Sequence, residues 1–378
     1  MSETTPGPTP EHEPAGGPGE GGADAPAQVR CPVCLDCYPW SRSGRELFEL
    51  DPESLEYRPI DLSGLHDPVK LEQRLRSAFL RCPNPSQDTP PHYLPLLYGG
   101  LGRPLVIGLV GATRTGKTHL LAAMLGEIEK GGLQPYGLTA VPLDQIRHRM
   151  FYDDYIRPLY HGTELAYTAP TELPQFVDAL IIGRQDEAGL GRPVAFFDVS
   201  GDLLGKVGQG ERFLAAADAL IFVVDPEQSL RLPGFKTERS ELGDLAFSNV
   251  LDQLYRGESL LDIPAAIVVA KSDRLRFMPP VDRWLYLENT QGRLDAELIR
   301  MESRDVYAFL YRHDARGWLL PTARCRRCTL HFASATGGRA PGRRFPRGVR
   351  PRRVLEPLVA VLAMTGVLDH PEAAGVGR

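Results

Sequence analysis

The stretch Leu105-Val106-Ile107-Gly108-Leu109-Val110-Gly111-Ala112-Thr113-Arg114-Thr115-Gly116-Lys117-Thr118 decides how the rest of this chain is read. Leu105 to Val110 is a short run, apolar apart from Gly108, of the kind that forms a buried parallel strand. Gly111 to Thr118 then fits Gly-x4-Gly-Lys-Ser/Thr, the P-loop pattern, and Leu120, Leu121, Met124, Leu125 and Ile128 follow at helical spacing. Strand, glycine-rich turn and helix come in the order this motif needs. Its glycines let successive N–H groups face a phosphate chain, and the helix N-terminus adds its positive end. Gly111, Thr115 and Gly116 are therefore expected around the phosphates, with Lys117 reaching the terminal ones and the Thr118 hydroxyl on Mg²⁺. Arg114 is placed either on phosphate or in solvent.

Outward from this turn, apolar strand runs alternate with amphipathic helices, the pattern of βαβ units in a mostly parallel sheet flanked by helices. Strands are expected at Val177–Ile182, Val194–Phe197, Ala219–Val224, Ala265–Val269 and Leu330–Ala333. Helices are expected at Glu211–Ala217, Glu241–Tyr255, Leu294–Tyr311 and Val354–Met364. The fold class is α/β, a P-loop NTPase domain over residues 101–378. An open sheet of this kind binds its ligand at the carboxyl ends of the strands. There stand Asp198, Gly201 and Asp202, in Asp198-Val199-Ser200-Gly201-Asp202, a carboxylate placed to hold Mg²⁺ and a glycine placed to touch a γ-phosphate. Thr168 and Thr171, in Tyr167-Thr168-Ala169-Pro170-Thr171, lie in a loop before the Val177–Ile182 strand.

The composition, 42% apolar and 24% charged in 378 residues, fits a globular chain and excludes a collagen-like, coiled-coil or wholly disordered one. The net charge of −5 equals the five acids Glu3, Glu11, Glu13, Glu20 and Asp24, which share the first 29 residues with no Lys or Arg. Residues 1–28, rich in Pro and Gly and almost without apolar side chains, are expected to be a disordered acidic tail. Of 43 basic residues only six are lysine, and two of these are Lys117 and Lys271. No run approaches the roughly 18 to 20 apolar residues of a membrane span, and no basic-then-apolar leader is present, so a cytoplasmic location is expected.

Six cysteines without a secretory signal point to metal rather than disulfides. Cys31-Pro32-Val33-Cys34 has the spacing that aims two thiolates at one zinc ion. Cys82, in Arg81-Cys82-Pro83, resembles a second knuckle lacking its second cysteine, and His92 follows ten residues later. Cys31, Cys34, Cys82 and His92 are the preferred Zn²⁺ ligands, with Cys37 the substitute for His92, in a zinc-ribbon-like module over residues 29–98 in which Val69 to Leu80 reads as a short helix. The plainer alternative is reduced thiols in a small core. Cys325-Arg326-Arg327-Cys328 is a further pair that either joins Cys31 and Cys34 on zinc or stays free, its arginines lowering the thiol pKa values.

Ala270-Lys271-Ser272-Asp273, after the Ala265–Val269 strand, resembles the NKxD box of GTPases, in which the lysine packs on the base and the aspartate accepts from guanine. Ser334-Ala335-Thr336-Gly337 resembles the SA box, whose backbone N–H meets the guanine oxygen. With the P-loop and the Asp198–Gly201 element, four boxes in order resemble a TRAFAC-class GTPase. The cysteine-bearing start and the approach Cys82-Pro83…His92-Tyr93-Leu94-Pro95 resemble, more narrowly, the second type of bacterial double-GTPase family, from Cys31 to the end. The resemblance implies GTP/GDP binding with Mg²⁺, slow hydrolysis, and a protein partner, a second GTPase or an effector, in a bacterial signalling or conflict system. Lys271, Asp273, Ser334 and Ala335 would then hold the base, Lys117, Asp198, Gly201 and Asp202 the catalytic end, and Thr168 or Thr171 would be the switch threonine that reaches Mg²⁺. Ala270 stands where the box has asparagine, and Asp202 where many relatives have glutamine or histidine. ATP in place of GTP, and a nucleotide-bound scaffold without hydrolysis, stay open as alternatives.

Arg339, Arg343, Arg344, Arg347, Arg350, Arg352 and Arg353 form a basic run. It reads first as a solvated loop and next as a contact for the acidic tail or an acidic partner. With Phe345 as the run's one aromatic, nucleic-acid binding has the least support.

Overall fold

The structure is a computed structural model that describes residues 28–166, 174–186, 191–200, 209–232, 235, 245–255, 257, 260–287 and 292–378. Thr168, Thr171, Gly201 and Asp202, with most of the acidic tail, lie outside the described residues.

The first part of the chain builds two small antiparallel sheets. Strands β1 (Gln28–Arg30) and β2 (Cys37–Pro39) pair as a ribbon. Strands β3 (Leu47–Asp51), β4 (Glu56–Pro59), β5 (Phe79–Arg81) and β6 (Tyr93–Pro95) form the second sheet in the order β4-β3-β5-β6. Between β4 and β5 lies helix α1 (Pro68–Arg76), started by Asp67, whose carboxylate accepts from the N–H groups of Val69 and Lys70. The helical pattern in the sequence runs on to Leu80, but α1 buries none of its residues, whereas Leu80 in β5 pairs with Leu47 and Leu94 and is 1% exposed. Burial of Leu80 overrides the local helical period.

The rest is an α/β layer structure. Strands β7 (Leu105–Gly111), β8 (Leu138–Pro142), β9 (Gln175–Arg184), β10 (Gly191–Ser200), β11 (Ala219–Val224), β12 (Ala265–Val269) and β13 (Cys328–Phe332) make one sheet in the order β13-β12-β11-β7-β10-β9-β8. The five strands from β13 to β10 are parallel, and β9 and β8 each run antiparallel to the previous neighbour. The helices are α2 (Lys117–Glu129), α3 (Gln145–Phe151), α4 (Arg157–Tyr160), α5 (Gln209–Ala216), α6 (Pro226–Ser229), α7 (Leu245–Leu254), α8 (Val281–Leu285), α9 (Ala296–Arg312), α10 (Leu320–Arg324) and α11 (Glu356–Met364).

Each central strand is buried on both faces and its side chains divide by the two-residue period. Val106 and Val110 of β7, Phe197 of β10, and Phe222 of β11 face α5, α7 and the apolar residues of the first sheets, among them Val29 and Leu94. Leu105, Ile107 and Leu109 of β7, Phe196 of β10, and Ile221 of β11 face α2 and α11. Central β7 has β10 on one side and β11 on the other, so the chain changes side across it and opens a crevice at the strands' carboxyl ends.

The arginine run is not a simple solvated loop. Arg353, in a left-handed backbone conformation (φ 53°), inserts a guanidinium that donates to buried Glu302 of α9 at 2.7 and 3.2 Å. Glu302 also accepts from the Phe332 N–H at 3.1 Å and faces His331 Nδ1 at 2.9 Å. Beside this cluster, Arg352 and Ser334 exchange backbone hydrogen bonds of 2.8 and 2.9 Å, so the buried ions fix the loop carrying Ser334. Arg353 and His331 hold the Glu302 carboxyl below its ordinary range against its own burial. Its folded value being depressed, its contribution to stability is complete above the unfolded value of about 4.3 and is lost as pH falls through the lower folded value. Glu302→Gln is expected to cost about 3 kcal/mol, since it removes the buried carboxylate charge that Arg353 faces and leaves Glu356, at 3.4 Å, as its ion-pair partner among the described residues. Denaturant midpoints measured from pH 7 to 3 should show a shallower acid loss in the variant.

Candidate functional site

The crevice is built from the turn after β7. Gly111 has to be glycine, because a Cβ there would lie 2.9 Å from the Val223 carbonyl oxygen of β11. Arg114 and Gly116 take left-handed conformations, φ 69° and 98°, which fold the turn back before α2 begins at Lys117. Thr115 is buried and donates its hydroxyl to the Ala112 carbonyl at 3.0 Å. The Lys117 ammonium lies inside the turn, donating to the carbonyls of Gly111 (2.8 Å) and Ala112 (3.0 Å), with Asp198 Oδ1 3.7 Å away. The Thr118 hydroxyl points at the other Asp198 oxygen, 3.4 Å off. Burial raises the Asp198 carboxyl and Lys117 opposes that, so cation and carboxylate hold one another at the mouth of a helix N-terminus.

The far end of the crevice comes from the turns after β11, β12 and β13. Lys271, left-handed at φ 50°, bridges the two ends: its ammonium donates to the Arg114 carbonyl at 3.0 Å and to Asp225 at 2.5 Å. Buried Asp273 accepts from the Ser334 hydroxyl at 2.6 Å, and Ser334 in turn accepts from the Gly337 N–H at 2.9 Å. These groups line one cavity of about 720 Å³ that runs from Lys117 and Thr118 to Asp273 and Ala335, a size common for small-molecule sites. Of the site residues expected from sequence, Gly116, Lys117, Thr118, Asp198, Lys271, Asp273, Ala335 and Arg114 line it, and Gly111, Thr115 and Ser334 pack directly behind.

Sequence reasoning missed several groups here. Asp225, directly after β11, obeys the same strand-end rule as Asp198 and was open to discovery by it. His119 faces the cavity and is driven down to about 4 by burial and by Lys271, hence neutral at pH 7. Leu165 and Phe345 form an apolar wall that no local motif announces, because 162–164 and 343–345 meet only through backbone bonds between distant segments.

A second constellation sits at the opposite end of the chain's first part. Cys31 and Cys34 lie in the turn between β1 and β2, Cys82 directly after β5 and His92 directly before β6. All four are buried, and their ligand atoms lie within 4.8 Å of one another. Cys34 and Cys82 sulfurs are 3.8 Å apart, close to the edge of a tetrahedron of sulfurs about 2.3 Å from a central zinc. His92 Nδ1 faces the Pro90 carbonyl at 2.9 Å; a carbonyl only accepts, so this nitrogen carries the proton and Nε2, 3.1 Å from Cys31 Sγ, offers its lone pair inward. Backbone N–H groups of Val33 and Asn84 point at the sulfurs of Cys31 and Cys82, each at 3.4 Å. Burial raises the Cys31 thiol, while bonds from Cys31, Cys34 and His92 make Cys82 the thiol that ionises first. The set could hold a metal ion such as zinc.

Two expectations fail. Cys37 is exposed on β2 and takes no part in the cluster. The Cys325–Cys328 pair is far from it: Cys325 closes α10 and Cys328 opens β13, two residues earlier than the sequence placed that strand. Its thiols are also not activated, since burial raises Cys325 to about 12 and raises Cys328 as well, while Arg326 turns to Asp262 and Arg327 to the carbonyls of Met364, Ala373 and Val376.

Arg212 of α5 links the cluster to the large sheet. Its guanidinium pairs with Asp88 in the second knuckle and lies 3.7 Å from Asp36, next to the first, while Asp36 accepts from the Ser86 N–H at 3.1 Å. Among the described residues no helix is long and apolar enough to cross a membrane. No protein-family model and no curated protein matches this chain.

Elemental analysis of the purified chain is expected to find about one zinc per molecule. Cys82→Ser should lose it on dialysis against a chelator, whereas Cys37→Ser and Cys328→Ser should retain it.

Proposed function

We propose that this chain is a nucleotide-controlled switch that binds GTP with Mg²⁺ in the crevice and hydrolyses it slowly, controlling a protein partner. The observation that carries the reading is one cavity with an anchored ammonium at one end, Lys117 inside a glycine turn at a helix N-terminus, and an acceptor-only carboxylate, Asp273, at the other. Lys117 and the N–H groups of the turn suit a polyphosphate. Thr118 and Asp198 would hold the Mg²⁺, which supplies charge neutralisation for the phosphates. Lys271 spans both ends, so its aliphatic stem offers a face for a planar base. Asp273, held by Ser334, suits the two neighbouring N–H donors of guanine and leaves adenine without a matching pair. The match of Gly111–Thr118 to the P-loop pattern and the resemblance to bacterial double GTPases, second type, support the same reading, with the cysteine–histidine cluster as a closed structural zinc site in a ribbon-like module.

Equilibrium binding of fluorescent GTP and ATP, measured side by side, tests it. GTP is expected to bind and ATP to bind at least about 10-fold more weakly. Lys117→Ala should weaken GTP by about 10- to 100-fold, since it removes charge-assisted bonds to phosphate. Asp273→Ala should erase the preference for GTP over ATP. ATP binding without GTP binding overturns the reading in favour of an ATPase, and single-turnover assays without any hydrolysis overturn the enzyme part in favour of a scaffold.

A further inference from the structure

The cavity carries more cationic side chains than a 5′-polyphosphate and a base require. Lys117 answers Asp198, and Lys271 answers Asp225. Next to Asp273, at the base end, three arginines also line the cavity: Arg274, Arg339 and Arg343. Arg274 and Arg339 share one carboxylate, Glu227, the second at 3.6 Å. Burial first and Arg339 second disfavour the charge on Arg274, against the opposing pull of Asp225 and Glu164. Arg343, left-handed at φ 65°, has its carbonyl fixed by the Glu164 N–H at 3.0 Å, and its guanidinium has no partner among the described residues. Among the described residues that line the cavity, the carboxylates Glu164, Asp198 and Asp273 face the cations Lys117, Lys271, Arg114, Arg274, Arg339 and Arg343.

A nucleotide spanning Lys117 and Asp273 lays its ribose between them, beside this wall. Neutral ribose hydroxyls give three guanidinium groups nothing to neutralise. A phosphate on a ribose oxygen does, because the guanidinium fork matches phosphate oxygens in pairs, as an arginine does for a ribose 2′-phosphate in dinucleotide-binding folds. The geometry points to a guanosine nucleotide phosphorylated on the ribose, at the 2′ or 3′ oxygen, as a ligand of this cavity, with Arg339 and Arg343 as the residues that recognise the added group. This rests on the guanine-nucleotide reading of the same site. A switch so equipped answers to a second nucleotide that competes with GTP for the crevice.

The test compares the affinity of the full chain for GDP with that for GDP carrying an added 3′-phosphate and GDP carrying an added 2′-phosphate, by calorimetry at low and at high salt. One of the two phosphorylated forms is expected to bind about 10- to 100-fold more tightly than GDP, and which one identifies the oxygen recognised. The ratio should shrink at high salt and fall to near one in the double variant R339A/R343A, whose substituted side chains are exposed. A ratio near one in the unaltered chain, with GDP bound, overturns this inference and leaves the switch reading standing. A raised ratio that survives in the double variant overturns the assignment to these arginines. Failure of GDP itself to bind overturns the nucleotide reading on which the inference rests.

Discussion

The Lys117 ammonium, closed in by the carbonyls of Gly111 and Ala112 and facing Asp198, is the interaction around which the large sheet is organised. It needs a turn tight enough to direct two carbonyl oxygens inward, hence Gly111 against the Val223 carbonyl and left-handed backbone at Arg114 and Gly116. It needs β7 at the centre, so that β10 brings Asp198 on one side and β11 brings Asp225 on the other. Lys271 then reaches across to the Arg114 carbonyl, so the two ends of the cavity are tied by one side chain before any ligand enters. Preorganisation of this kind lowers the ordering cost of binding.

The Asp273 end of the cavity is braced from behind by charge in the core. Glu302, with His331 and Arg353, occupies a position where unpaired ions would be costly, and its four contacts settle the path of the loop that pairs with Ser334. Ser334 in turn orients Asp273. Glu302 of α9, remote from the cavity, is thereby connected through this loop to Asp273 in the cavity wall.

The cysteine–histidine cluster and the sheet meet at α5, where Arg212 holds both knuckles through Asp88 and Asp36. The same helix packs Phe213 against Phe197 of β10, the strand that carries Asp198. Its contacts therefore join the turns of the cysteine–histidine cluster to the strand that carries Asp198. Tyr57, donating to Asp144 at the start of α3, makes a second tie between the first sheets and the large one.

By itself, the sequence determined the α/β layers, the strand–turn–helix around Gly111 to Thr118, and the four residues Cys31, Cys34, Cys82 and His92 as a set. Each rests on a local rule: apolar period, glycine spacing, or knuckle spacing beside a strand. The helix read through Leu80, the lowered thiol pKa values of the Cys325–Cys328 pair and a solvent-facing Arg353 do not hold, although Arg339, Arg343, Arg344, Arg347 and Arg350 of the arginine run are exposed as read. In each case burial against a distant segment reversed the local signal: Leu80 between Leu47 and Leu94, Cys328 in a strand beside the C-terminus, Arg353 on Glu302. Tertiary structure alone decided which carboxylate each cation meets, because Lys271 with Asp225 and Arg212 with Asp88 are 46 and 124 residues apart. Short-range propensity acts over a few residues, whereas ion pairing in a low-dielectric interior depends on distance in space, which only the closed sheet defines.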